Sequence, residues 1–238
     1  MVGGQETVGA ARRGTRAWLL CGGAITACAA CVAPLDLPAD RALFAPESRF
    51  GALVFDYGTL PALALYAIAA AWLTVPALRS RSRLASRAAA AVLVQGLVHT
   101  MFAMNALKLL WGRERFAALA AGEGVFSPLW AIHPGADGTS FPSGHVATAL
   151  VLLPVALLLA REGSPRAGAA LAAWSAVYAS AIGLGRMLLG AHFASDVVFA
   201  AGTAVLMAPA SVAIGDSCLS LYDRFWTATS SRRRLRRG

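Results

Sequence analysis

The chain has 238 residues, 58% of them hydrophobic and only 14% charged, with a mean hydropathy of +0.61. Soluble domains carry about 25% charged residues, so this composition excludes a disordered chain, a coiled coil and an ordinary soluble enzyme. It implies an integral membrane protein. The net charge of +9 comes almost wholly from arginine, and Lys108 is the only lysine.

Residues 1–16 form a basic N-terminal segment with Arg12, Arg13 and Arg16. A spanning helix needs about 20 mostly apolar residues. Six stretches qualify: 17–34, 56–78, 88–107, 145–160, 168–185 and 194–214. In the first, Cys28-Ala-Ala-Cys31 has redox-pair spacing and Ile25-Thr26-Ala27-Cys28 resembles a lipidation box. Both sit in an Ala-rich apolar helix, where buried thiols need no special chemistry. Asp56 opens the second span, either lining a pocket or hydrating a helix start. Small residues along the spans, among them Ala67, Ala69, Ala88 and Gly168, favour close helix packing. In the third span Gln95 and His99 lie four apart, and His99 is expected to be a hydrogen-bonded packing residue.

The loop at 79–87 carries Arg79, Arg81, Arg83 and Arg87, and that at 161–167 carries Arg161 and Arg166. The tail, 215–238, carries Arg224, Arg232, Arg233, Arg234, Arg236 and Arg237. The loops on the opposite side hold far fewer cations. The positive-inside rule therefore predicts an all-α bundle of six transmembrane helices with both termini cytoplasmic, forming a single domain over 1–238. The basic tail reads as a topology anchor, with no folded basic surface for nucleic acid.

Three charged clusters fall on the outer face: Lys108 to Arg115 leaving the third span, Ser140-Phe-Pro-Ser-Gly-His145 entering the fourth, and Gly185 to Asp196 joining the fifth and sixth. Lys108, Arg115 and Arg186 bring three cations to one patch. Arginine forks grip phosphate oxygens bidentately, and lysine acts as a point charge. Ser143 and Gly144 precede an apolar helix, where a hydroxyl and free N–H groups can meet an anion. His192 and Asp196 are four apart, so on a helix the carboxylate could hold one ring proton and leave the other nitrogen to attack. His145 is a candidate proton donor. Arg113 and Glu114 read as a solvated loop pair. The outer-face loop 112–144 is long enough to suggest function. Trp111, just before it, and its Phe116, Phe126, Trp130 and His133 either cover a lipid entrance or pack the loop onto the bundle.

These residues resemble the type-2 phosphatidic acid phosphatase superfamily, which includes membrane lipid phosphate phosphatases, glucose-6-phosphatase and vanadium haloperoxidases. The family pattern is Lys-x6-Arg-Pro, then Pro-Ser-Gly-His, then Ser-Arg-x5-His-x3-Asp. Lys108 and Arg115 match the first section, with Phe116 in place of proline. Pro142, Ser143, Gly144 and His145 match the second in full. Arg186, His192 and Asp196 match the third, with Gly185 in place of serine. The resemblance implies that His192 attacks phosphorus to form a phosphohistidine, that Asp196 orients it, and that His145 protonates the leaving oxygen. Lys108, Arg115, Ser143, Gly144 and Arg186 would hold the phosphate oxygens, and Phe116 could contact substrate. No metal or other cofactor is expected. The implied protein is a multi-pass inner-membrane phosphatase whose site faces the periplasm or cell exterior. In a bacterium its partners would be membrane lipids and a lipid phosphate substrate: undecaprenyl diphosphate, phosphatidylglycerol phosphate, phosphatidic acid or a lipid A phosphate. The rival readings are a phosphotransferase using the same phosphohistidine and a non-catalytic lipid-binding protein.

Overall fold

The computed structural model describes the backbone of residues 2–235 and the side chains of residues 14–225, so most of the arginines of the N-terminal segment and the tail lie outside the described side chains. The described residues are helical, with no strand. Six helical stretches are long and apolar enough to cross a membrane: Gly14–Leu43, Arg49–Thr74, Arg83–Ala120, Gly144–Arg161, Pro165–Leu188 and Ala194–Phe225. They agree in number and order with the expected spans and are longer at several ends.

The spans are built from shorter helices. The first is α1 (Val2–Val32), a 3-10 turn over Ala33–Leu35 and α2 (Asp36–Leu43). Next come α3 (Arg49–Tyr57) and α4 (Leu60–Thr74), with Ser48 accepting from the Gly51 N–H to cap α3. A short α5 (Pro76–Arg79) leads to α6 (Arg83–Val94), a π-helical segment over Gln95–Ala103, and α7 (Met104–Trp111). The outer loop holds α8 (Phe116–Ala120). The fourth span breaks between α9 (Gly144–Ala149) and α10 (Leu153–Arg161). Then α11 (Pro165–Leu188) and α12 (Ala194–Leu235) complete the bundle. The α12 backbone runs unbroken through the first part of the stretch expected as a separate tail.

The outside of the bundle is apolar. Leu63, Ile68, Phe102 and Leu109 are all more than half exposed, which suits contact with lipid rather than water. Inside, Val54, Met104, Val146, Leu150, Ile182 and Ala204 form the main cluster. Close approaches depend on missing side chains. At the α1–α12 seam, a Cβ on Gly22 would lie 2.7 Å from the Leu206 nitrogen, and Gly202 faces the Thr26 backbone in the same way.

The expected straight apolar helix at 88–107 is instead interrupted by the π segment, which carries the buried polar residues of the membrane interior. Gln95 donates to the Ala204 carbonyl at 3.1 Å and accepts from Ser211 Oγ at 2.6 Å. His99 Nε2 pairs with Thr203 Oγ1 at 3.1 Å. These bonds agree with His99 as a packing residue.

The two ends of the bundle differ. At one, the Arg87 guanidinium grips Asp216 through two bonds of 2.8 and 3.0 Å and also pairs with Glu162, while Arg161 donates to Thr15 Oγ1. The start of α1 and the later part of α12 therefore share this end. The charged clusters converge at the other.

Candidate active site

Lys108 sits on the last turn of α7. The helix stops at Gly112, whose φ of +55° is a left-handed cap that favours glycine. A Cβ there would also approach Ala136 Cβ at 2.8 Å. Past this turn the chain aims Arg113 inward, while Arg115 stays exposed. Thr139 ties the two motif cations together: Lys108 Nζ donates to its carbonyl at 2.6 Å, and Arg115 Nη2 to its hydroxyl at 3.0 Å.

Ser143 is fully buried at the start of α9 and accepts from the Val146 N–H at 3.4 Å, leaving its own O–H available to donate. Next to it, Phe141 is locked between Trp111 and Phe199, with both ring centroids at 4.6 Å. His145 is half-buried. Lys108, Arg115 and Arg186 lie within Coulombic range of it. Arg186, near the end of α11, is 3% exposed and sits 5.0 Å over the Phe55 ring. Its Nε and Nη1 are buried with no hydrogen-bond partner in the protein. Donors left unpaired in a buried place cost free energy unless an anion meets them. A cleft lined by Phe55, Arg115, Ala117, Arg186, Leu189 and Ala191 opens beside that guanidinium.

His192 is buried in the turn just before α12, so it does not share a helix with Asp196 as its spacing suggested. The expected direct hold on the ring is also replaced. Nδ1 lies 2.6 Å from the Ser140 carbonyl and 3.9 Å from Asp196 Oδ2. A carbonyl only accepts, so Nδ1 carries the proton and Nε2 is the basic nitrogen. Asp196 acts one step back: its Oδ2 accepts from Ser140 Oγ at 2.5 Å and from the Phe193 N–H at 2.9 Å. The second bond is the reach-back of a capping carboxylate at the start of α12. Burial, then the cations of Lys108 and Arg186, push the His192 imidazole well below its ordinary value. That shift favours the neutral ring, with its lone pair on Nε2.

Arg113 overturns its expectation as a solvated loop residue. It is 0% exposed, with Nη1 donating to Asp196 Oδ1 at 2.6 Å and Nη2 to Asp36 Oδ2 at 2.8 Å. Its Nε donates to the Ser127 carbonyl at 3.0 Å, and its guanidinium lies 4.1 Å over the Phe193 ring. Asp36, missed in the sequence, is also fully buried and accepts from the Ser195 N–H at 2.8 Å and Ser195 Oγ at 2.5 Å. Acids near the end of an apolar span were the available signal, since such groups demand partners. Asp40, one turn on, is buried with neither oxygen hydrogen-bonded.

The departures from the motif also find reasons. Phe116 is buried edge-on against Phe44 at 5.2 Å, and Phe193 lies at 6.4 Å, so it packs the loop onto the bundle. A side chain at Gly185 would lie 2.7 Å from Val54 Cβ, so α3 occupies the space of the missing serine. Phe126 and Trp111 also pack inward, whereas Trp130 is 66% exposed. Asp56 and all four cysteines are exposed, on the outer faces of their helices.

A buried histidine and three nearby cations thus gather at one end of a polytopic helical bundle. The family model for the PAP2 superfamily matches residues 85–217, more than half of the chain, and the chain belongs to that superfamily. Its members generally hydrolyse phosphate esters on lipid-type substrates. No curated protein and no solved structure matches the chain.

Proposed function

We propose that this protein, as one domain over its whole length, hydrolyses a lipid phosphate or diphosphate through a phosphohistidine on His192. The observation that carries the reading is the buried Arg186 guanidinium with two unpaired nitrogens, in Coulombic range of a neutral histidine whose Nδ1 proton is fixed. The Nε2 lone pair of His192 attacks phosphorus, the bond from phosphorus to the lipid oxygen breaks, and His145, protonated once the bound phosphate's negative charge offsets the cations around it, gives that oxygen its proton. Water then attacks phosphorus while His145 takes its proton, the N–P bond breaks, and phosphate leaves. Lys108, Arg115, Arg186, the Ser143 hydroxyl and the Gly144 N–H balance charge on the phosphate oxygens, where most of the rate gain of phosphoryl transfer arises. The cycle calls on no metal. The arginine-rich end faces the cytoplasm on the positive-inside argument, so the site faces outward from the inner membrane.

The test is phosphate release in detergent from phosphatidic acid, phosphatidylglycerol phosphate, undecaprenyl diphosphate and a lipid A phosphate, with and without EDTA. We expect release from at least one lipid that survives EDTA, vanishes in His192→Ala, and falls about 10–100-fold in Arg186→Lys, which keeps the charge and loses the fork. Release that persists in His192→Ala would overturn the phosphohistidine. Loss of phosphate from the donor lipid that occurs only when a lipid hydroxyl acceptor is added, with the phosphate recovered on that acceptor, would make the protein a transferase.

A further inference from the structure

The phosphohistidine cycle uses His192, His145 and the phosphate-holding residues, and leaves the innermost ion cluster without a task. Asp36, Arg113 and Ser195 touch no part of the phosphate cleft, yet all three are fully buried. Asp36 also precedes residue 85, where the family match begins.

We propose that Asp36 and Arg113 are a positioning pair for the nucleophile, holding Asp196 and, through Ser140, the ring of His192. The inference rests on the phosphohistidine reading. The hydrogen bonds form one continuous path. Asp36 Oδ2 accepts from Arg113 Nη2 at 2.8 Å, and Arg113 Nη1 donates to Asp196 Oδ1 at 2.6 Å. Asp196 Oδ2 accepts from Ser140 Oγ at 2.5 Å, and the Ser140 carbonyl accepts from His192 Nδ1 at 2.6 Å. Backbone bonds repeat the link, since the Ser140 N–H donates to the Arg113 carbonyl at 2.9 Å. Ser195 Oγ braces the pair by accepting from Arg113 Nη1 at 3.0 Å and donating to Asp36 Oδ2.

Charge explains why two acids share one arginine. Alone with Asp196, Arg113 would cancel the carboxylate that faces His192. With Asp36 taking the other side of the fork, two carboxylates face one guanidinium, and Asp40 lies within Coulombic range of all three, so the cluster leans negative toward the imidazolium that forms when His192 bonds phosphorus. A planar fork can bridge two carboxylates in fixed geometry, and a lysine ammonium cannot. Asp36 and Arg113 never meet substrate. They act through Asp196 and Ser140 and so belong to the rate rather than to binding.

Full-length wild type, Asp36→Asn, Ser195→Ala, Arg113→Lys and His192→Ala are compared in detergent with short-chain phosphatidic acid as probe. Turnover is expressed per folded molecule. We expect kcat to fall at least 10-fold in Asp36→Asn and Arg113→Lys and several-fold in Ser195→Ala, with KM changed less than threefold throughout. The 15N spectrum of histidine-labelled protein gives a second readout, with the His192 signal assigned by its loss in His192→Ala. It should report an Nδ1-protonated ring in wild type and a tautomer mixture in the variants. Folded variants with kcat within twofold of wild type, or with the wild-type His192 signal, would overturn the proposal. So would losses explained entirely by less folded protein, which would leave the cluster a structural staple. If Asp36→Asn does not fold, the other two variants decide. If wild type does not turn over short-chain phosphatidic acid, the lipid that it hydrolyses in the panel above replaces it as probe; wild type inactive on every lipid would count against the phosphohistidine reading alone, and the 15N spectra would still decide the positioning role.

Discussion

At the scale of single residues, burial first and then the cations of Lys108 and Arg186 hold the His192 imidazole well below its ordinary value, which favours the neutral ring that the proposed attack needs. Protonated His192 cannot attack, so activity on the acid side is lost as the ring takes up a proton. Burial together with Lys108 and Arg186 moves that loss below the ordinary imidazole range. Lys108→Met removes one of these cations, so His192 protonates at higher pH. The acid limb of kcat/KM should therefore move upward, and kcat/KM at its optimum should fall on the order of 100-fold for the lost charge on phosphate. A pH profile on one substrate checks both, because the substrate's own ionisation cancels between the two enzymes. A limb that stays put or moves down would refute the cation effect. The proposed reacting set came from short spacings in the sequence, His192 before Asp196, Ser143 before His145 and Lys108 before Arg115, and the structure brings these residues to one end of the bundle. Arg113 and Asp36 were not, because 77 positions separate them and nothing local marks either as one side of a pair. Ser140 was visible in its cluster, but its link from Asp196 to His192 joins a side-chain hydroxyl to a backbone carbonyl, which no spacing in the sequence marks.

Among the helices, the number and order of the spans followed from hydropathy alone. Their interruptions did not. The π segment over Gln95–Ala103 and the break between α9 and α10 arise from long-range partners and local turns inside stretches that read as uniformly apolar. The same holds for Gly185. In the sequence it is a departure from the motif, whereas in the bundle it is the point where α11 meets Val54 of α3. Restoring the motif residue should therefore harm rather than help. Gly185→Ser forces atoms into that contact and should cost about 1–3 kcal/mol of stability, read as a lower unfolding temperature in detergent with no gain in turnover. A stable, faster variant would show that α3 yields and that the missing hydroxyl was the real loss.

Across the whole molecule, the arginine-rich end and the catalytic end are opposed, and sidedness follows from which faces the cytoplasm. In a chain stripped of its four cysteines, Asp137→Cys in the outer loop should react with an impermeant maleimide on intact cells. Ser80→Cys, beside the arginine cluster, should react only after permeabilisation. The reverse pattern would place the site on the cytoplasmic side. The seam between α1 and α12 has a different kind of consequence. The first helix made must wait for the last, and Asp36 meets Ser195 only across 159 positions of chain. Until the sixth span enters the membrane, neither Asp196 nor His192 has been added, and Arg113 holds only the first half of its clamp. On the proposed mechanism, a chain that has not yet added His192 and α12 lacks both the nucleophile and the carboxylate behind it, and it can transfer no phosphate until α12 has packed against α1.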